Sequence, residues 1–486
     1  MQAKSLPVKP LSFFSLIMIG IISVDSLRTL TMGAEYGFSL VFFYIIIGLV
    51  FFVPTILVSA ELATGWPSTG GAYIWIREAF GAKCGFFAIW QQWVYNLAWF
   101  PTILAFICAT LAYLIDPALA NNKEYMVLTI LGLFWASTLI GCMGINTASW
   151  ISTIGALIGT LLPMGIIICL GLSWILHGNP IQISFSIKSF IPNITSINSL
   201  TLLSSVLFGL IGIEVSAVHA GDVANPHKNY PRALTIAGIV IFFSLVLSSL
   251  AICVVIPTKQ ISLTTGLIDA FSLFFNYFHM AWFIPVIVFL IVLGSLSGLT
   301  TWVLAPARSL QIASLDFNFA NFLQKTNNKN MPTGILFAQG VIVSILCCAF
   351  LLMPSVSSTY WMLSALTTIL ALPYYILLFA AAIRLRYKMP DVPRAYKIPG
   401  GKIIIWMCSL IGIFACIVAI LIGFIPPSQV QVGNVTTYEM ILGGGTLLLS
   451  VFPLMIIYAT KKRGLNNGIV DISKKAALQV DSSLTS

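Results

Sequence analysis

The chain has 486 residues, 59% of them apolar and only 8% charged, where an ordinary soluble domain carries about 25% charged residues. Its 24 Lys+Arg and 14 Asp+Glu cannot cover the surface of a soluble protein this long. The composition therefore excludes a soluble enzyme, a disordered scaffold and a secreted disulfide module, and leaves a polytopic membrane protein.

The net charge of +10 points to basic loops on one membrane face, and no nucleic-acid partner is expected. The first ten residues carry Lys4 and Lys9 and lack an A-x-A cleavage site, which predicts an uncleaved first helix. Apolar runs long enough to span a bilayer lie at 11–33, 38–60, 86–115, 125–143, 148–176, 199–219, 233–256, 280–306, 333–353, 359–385, 403–424 and 438–459. These are about 12 transmembrane helices. An even count places both termini on one side. With that side cytoplasmic, 20 of the 24 Lys+Arg fall in inner segments. Only Lys123, Lys188 and Lys259 fall in outer loops, and Arg28 lies within a span. The expected location is a plasma membrane with cytoplasmic termini. The inner loop 386–402 is basic and Pro-rich and is expected at the membrane surface. Most of the nine Cys sit in apolar runs and read as small hydrophobes; neither their spacing nor the four His suggests a metal site, and no cofactor is expected.

Few charges lie at membrane depth, and each is a functional candidate because burying it is expensive. Asp25 and Arg28 fall in span 1, and Glu214 falls in span 6. The local sequences repeat. Gly20-Ile-Ile-Ser23-Val24-Asp25 and Gly209-Leu210-Ile211-Gly212-Ile-Glu214 share a Gly, two apolar residues, a small residue, an apolar residue and a carboxylate. Leu162-Pro163 and Leu372-Pro373 give a fainter echo in spans 5 and 10. Such an echo points to a five-plus-five inverted repeat, 11–176 and 199–385, with helices 1 and 6 broken at mid-membrane. Residues 403–459 add two helices, and 460–486 form a cytoplasmic tail. Broken helices expose N–H groups at one break and carbonyls at the other, a pairing suited to a zwitterion such as an amino acid.

Several motifs are similar to the amino acid–polyamine–organocation superfamily. They are Glu61-Leu-Ala-Thr-Gly-Trp-Pro67-Ser-Thr-Gly70-Gly71-Ala-Tyr73, Phe208-Gly-Leu-Ile-Gly212-Ile-Glu214, Asn225-Pro226-His-Lys-Asn-Tyr-Pro231-Arg232 and Pro306-Ala-Arg308. Within it, Gly37-Phe-Ser-Leu-Val-Phe-Phe43, Glu214-Val-Ser-Ala-Val-His219 and Ile398-Pro-Gly-Gly-Lys402 most resemble bacterial glutamate:GABA antiporters. The resemblance implies an all-α, LeuT-like fold, alternating access, exchange of amino acids and a bacterial inner membrane. It also implies a substrate gate at Phe208 and a transport and proton role for Glu214. The chain departs from the family pattern at Gly298, where those antiporters have an acid. It departs again at Thr153, where many relatives have a Lys, and in its tail: about 28 residues follow Tyr458, so the family's C-terminal plug is not expected.

The residues predict a substrate site. Ser23, Val24 and Ser26 offer backbone groups to a carboxylate, and carbonyls near Gly209, Leu210 and Ile211, beside Gly212, meet an ammonium. Asp25 either binds a cationic group or is held by Arg28; Arg28 in turn either pairs with Asp25 or faces an acidic substrate. Tyr95 and Asn96, in a polar stripe with Gln91 and Gln92, are expected to line the pore with Ser297. Tyr374 is a candidate gate beside Pro373. Coupling to H+ at Glu214, or to Na+ through Thr300 and Thr301, remains open, as do a symporter and a non-transporting sensor.

Overall fold

The computed structural model describes residues 12–67, 70–143, 153–192, 203–222, 225–316, 321–426 and 435–462. Among them there is no β-strand. Ten helices are long and apolar enough to cross a membrane, and two shorter apolar helices, Phe13–Val24 and Leu203–Ala217, accompany them. Together they occupy the twelve expected spans. The long ones are Gly37–Gly65, Ala82–Ala112, Lys123–Gly141, Gly155–Leu176, Lys228–Val255, Ala281–Leu315, Thr333–Leu352, Val356–Lys388, Gly401–Gly423 and Val435–Met455. In chain order these are spans 2–5 and 7–12. Spans 1 and 6 are the interrupted ones. Segments 1–10 and most of 460–486 lie outside the described residues.

Polar residues and prolines explain where the helices start and bend. Ser12, Asn122 and Ser355 cap helix N-termini, each side chain accepting an N–H three residues on. Spans 2 and 5 widen into π-helix at Gly48–Phe52 and Gly155–Leu161, just before Pro54 and Pro163. A proline ring crowds the carbonyl four residues back and donates no N–H, so the ladder opens there. Both halves of the chain follow one order: a broken span, a long span, then a short helix before the third span. Those short helices are Ala72–Phe80 and Gly266–Tyr277.

Span 3 is buried along nearly its whole length and forms the centre, whereas span 12 mostly faces outward. Spans 5 and 8 touch backbone to backbone. A Cβ on Gly159 would lie 2.2 Å from the Gly294 nitrogen, so only glycine permits this approach.

The loop after span 10 is mostly exposed but is pinned to the bundle. Arg394 and Ile398 are buried, and the loop folds onto the end of span 2 at Glu61. The Glu61 carboxylate takes Arg386 and accepts the Ile398 N–H at 2.9 Å. Arg394 stacks over Trp66 at 5.0 Å and donates to the carbonyls of Leu385 and Met389. Arg384 and Lys388 donate to the carbonyls of Ala79 and Glu78. This basic face carries the ends of spans 2 and 10.

Candidate functional site

Span 1 stops at Val24, where the Asp25 N–H closes the helix on the Ile21 carbonyl at 2.7 Å. Residues 25–28 are not helical, and a short helix, Thr29–Ala34, follows. Span 6 runs Leu203–Gly209, opens at 210–212 and resumes as a tighter 3₁₀ helix from Ile213. The two breaks cross. Gly212 has a φ of 121°, and a Cβ there would sit 2.5 Å from the Ser23 carbonyl and 2.7 Å from the Trp302 ring. Glycine is therefore required twice over at this point, by conformation and by space. Trp302, on span 8, donates its indole N–H to the Ser23 carbonyl at 3.0 Å and fastens the crossing.

A cavity of about 40 Å³ lies at the crossing, room for about three waters. Residues 22–29 form one wall; Tyr95, Asn96 and Trp99 of span 3, Phe208 and Ile211 of span 6, and Ser295, Gly298 and Trp302 of span 8 close it. Of the residues singled out in the sequence, Ser23, Val24, Asp25, Ser26, Arg28, Tyr95, Asn96, Phe208 and Ile211 meet here. Gly209, Leu210, Gly212, Glu214, Tyr374 and Ser297 do not line it. Ser297 corrects the pore-lining expectation: its hydroxyl donates to the Leu293 carbonyl at 2.7 Å, and its side chain fills the space over Gly155.

Arg28 is fully buried. Its Nη1 donates to the hydroxyls of Tyr360 at 3.1 Å and Ser364 at 3.2 Å. Its guanidinium lies over the rings of Phe208 and Tyr360, at 5.2 and 5.4 Å. Nε and Nη2 have no hydrogen-bond partner among the described residues. Asp25 is not that partner. It turns the other way, accepting the Ser244 hydroxyl from span 7 at 2.7 Å, with Oδ1 unmet. Of the two open readings, an Asp25–Arg28 pair is absent among the described residues.

The backbone at the breaks is also incompletely paired. The Ser26 carbonyl accepts from Thr29, through its N–H at 3.0 Å and its hydroxyl at 2.8 Å. The N–H groups of Ser26, Leu27 and Arg28 donate to no acceptor among the described residues, and the carbonyls of Gly209, Leu210 and Ile211 accept from none. The Ser23 hydroxyl folds back on the Gly20 carbonyl at 2.8 Å. Of the three donors expected from the sequence, Ser23 and Val24 lie within the helix, and the open N–H groups are those of Ser26 and the next two residues, Leu27 and Arg28.

Glu214 lies beyond the cavity in a buried polar layer. Both carboxylate oxygens accept the Tyr375 hydroxyl, at 2.8 and 2.9 Å. Tyr374 packs edge-on against Tyr375 and accepts from the Gln92 amide at 3.3 Å. Tyr374 is thus buried in mid-span rather than at a mouth. Trp302, Tyr360, Ser364 and Ser244 escaped the sequence reading. Aromatic and hydroxyl residues are common in apolar spans, and only the fold shows which of them turn toward Arg28 or Asp25.

A helical membrane bundle with a polar cavity between two broken, crossing helices has the architecture of a secondary transporter. The chain belongs to the amino acid permease family, whose pattern matches residues 11–446. It is 48% identical to an uncharacterised transporter of Legionella pneumophila over 92% of this chain and 96% of that one. It is 29% identical to a glutamate/γ-aminobutyrate antiporter of Lactococcus lactis, over 93% of this chain and 90% of the relative. A probable agmatine/putrescine antiporter of the same species is 26% identical over 92% of this chain and 94% of its own length.

Proposed function

We propose that this permease is an amino acid antiporter working by alternating access, and that its substrates present a carboxylate to Arg28. The observation that carries this reading is the Arg28 guanidinium, buried at the cavity with two nitrogens unpartnered. An unmet buried donor costs about 1–3 kcal/mol. A planar guanidinium recovers that cost best from a carboxylate held by two parallel hydrogen bonds. The N–H groups of residues 26–28 then receive the α-carboxylate, and the Ile211 carbonyl, on the cavity wall, attracts the ammonium. Glutamate offers all three groups; γ-aminobutyrate offers a carboxylate and an ammonium. The glutamate/γ-aminobutyrate antiporter among the relatives supports the same choice.

In this reading the two five-span halves move about the crossing, the termini are cytoplasmic, and the membrane is a bacterial inner membrane. Phe208 stacks on Arg28 at the cavity wall and gates it. Glu214 and Tyr374 form the proton-responsive layer beneath. No specific observation among the described residues favours a sodium symporter.

Counterflow in proteoliposomes tests the proposal. Vesicles are preloaded in turn with glutamate, glutamine, γ-aminobutyrate, arginine and leucine, with and without sodium. Sodium-independent uptake stimulated by internal glutamate or γ-aminobutyrate is the expected result. Exchange confined to arginine or leucine overturns the Arg28 assignment, and binding without flux overturns transport.

A further inference from the structure

At the basic face, the end of span 4 and the start of span 9 frame a groove of about 390 Å³. One wall carries Trp135 and Leu139, the other Leu336 and Phe337. Leu139 and Phe337 are 68% and 57% exposed, so in a bilayer this groove opens sideways onto hydrocarbon and not onto water. Trp135 forms its back: the indole N–H donates to the Ser344 hydroxyl at 3.2 Å and the ring packs against Phe337 at 5.8 Å.

Lys325 stands at the mouth. The chain around it is fixed. Its carbonyl accepts from the Thr333 hydroxyl at 3.4 Å and the Gly334 N–H at 3.5 Å. Asn327 ties the same loop to span 4 by donating to the Cys142 carbonyl at 2.8 Å. Among the described residues the Lys325 ammonium makes no ion pair, and no acidic residue lines the groove.

We propose that this groove binds one anionic phospholipid, its phosphate on Lys325 and one acyl chain along Leu139 and Phe337. The apolar walls exclude a freely dissolved anion as the natural occupant, because most of the groove offers it no polar partner. The single uncompensated cation selects against a zwitterionic lipid, whose own ammonium finds no acceptor there. A lysine at this depth reaches the headgroup layer while its stem stays on apolar surface. Charge counting assigns this face to the cytoplasm, where anionic headgroups are met from the inner leaflet. The inference does not depend on which solute is carried.

Native mass spectrometry of the full-length, detergent-purified protein tests it, with phosphatidylglycerol, phosphatidylcholine or inorganic phosphate added separately. One phosphatidylglycerol is expected to remain bound where phosphatidylcholine does not. Lys325→Gln weakens that retention about fivefold, while Lys325→Arg preserves it. Lys329→Gln, on the same loop but outside the groove, leaves it unchanged. Equal retention of the two lipids, displacement of lipid by inorganic phosphate, or equal losses in Lys325→Gln and Lys329→Gln each overturn the proposal.

Discussion

Arg28 and Glu214 are both buried charged residues, each at or just past the break in its span, yet their surroundings differ in kind. Two Arg28 nitrogens have no partner among the described residues, and the residue lines the cavity. Both Glu214 oxygens are taken by one tyrosine hydroxyl, and the residue stands outside the cavity. Burial alone therefore does not mark a binding group. A charge whose hydrogen bonds are already made contributes to holding the fold, and its removal leaves orphans behind. A charge with donors unspent is destabilising until a ligand arrives, so its cost is recovered on binding.

The largest expected effect follows directly. Arg28→Gln lowers exchange of glutamate about 100-fold, the scale of truncating one partner of a buried charge pair. Its unfolding temperature in detergent stays level or rises, because an unsatisfied buried cation has been removed. Arg28→Lys restores only part of the activity, since an ammonium cannot form the planar fork. A matching fall in thermal stability would instead show that Arg28, like the hydrogen-bonded Glu214, helps hold the fold, and would erase the contrast between them.

Tyr375→Phe tests the other side and reverses the pattern. The Glu214 carboxylate loses the hydroxyl that both of its oxygens accept, which costs about 1–3 kcal/mol. Thermal unfolding shifts downward by about 1–3 °C, while exchange at saturating substrate falls less than tenfold. Abolished exchange with unchanged unfolding temperature sinks this assignment and puts the tyrosine on the transport pathway.

Much of this architecture was legible in the sequence, for a physical reason. A bilayer imposes one length on every span and makes each polar residue at depth conspicuous, so the twelve spans and the charges Asp25, Arg28 and Glu214 stood out. The Gly-containing echo likewise marked both breaks. What remained hidden were directions. One turn separates Asp25 from Arg28, and no periodicity shows that the first turns to Ser244 on span 7 and the second to Tyr360 on span 10. The sequence places Ser297 as readily on a pore as against Gly155, because the backbone contact between spans 5 and 8 that decides the matter is tertiary. Glu61 passed as part of a motif, although it anchors the loop carrying Arg394 and Ile398.

Trp302→Phe gives the smallest and most selective effect, because it tests the crossing itself rather than either charge. Phenylalanine keeps an aromatic side chain at this place but removes the N–H given to the Ser23 carbonyl and part of the buried indole ring packed over Gly212. The lost hydrogen bond alone is worth about 1 kcal/mol, a change of about fivefold if it falls wholly on transport. Span 8 then no longer grips the break of span 1, while Arg28 keeps Tyr360, Ser364 and Phe208 around it. The maximal rate of exchange should therefore change with little change in KM for glutamate, measured at several internal concentrations. A KM shift with an unaltered maximal rate would mean that the freed Ser23 carbonyl has become a ligand for the substrate ammonium, and that Trp302 shields the site instead of fastening the helices that move around it.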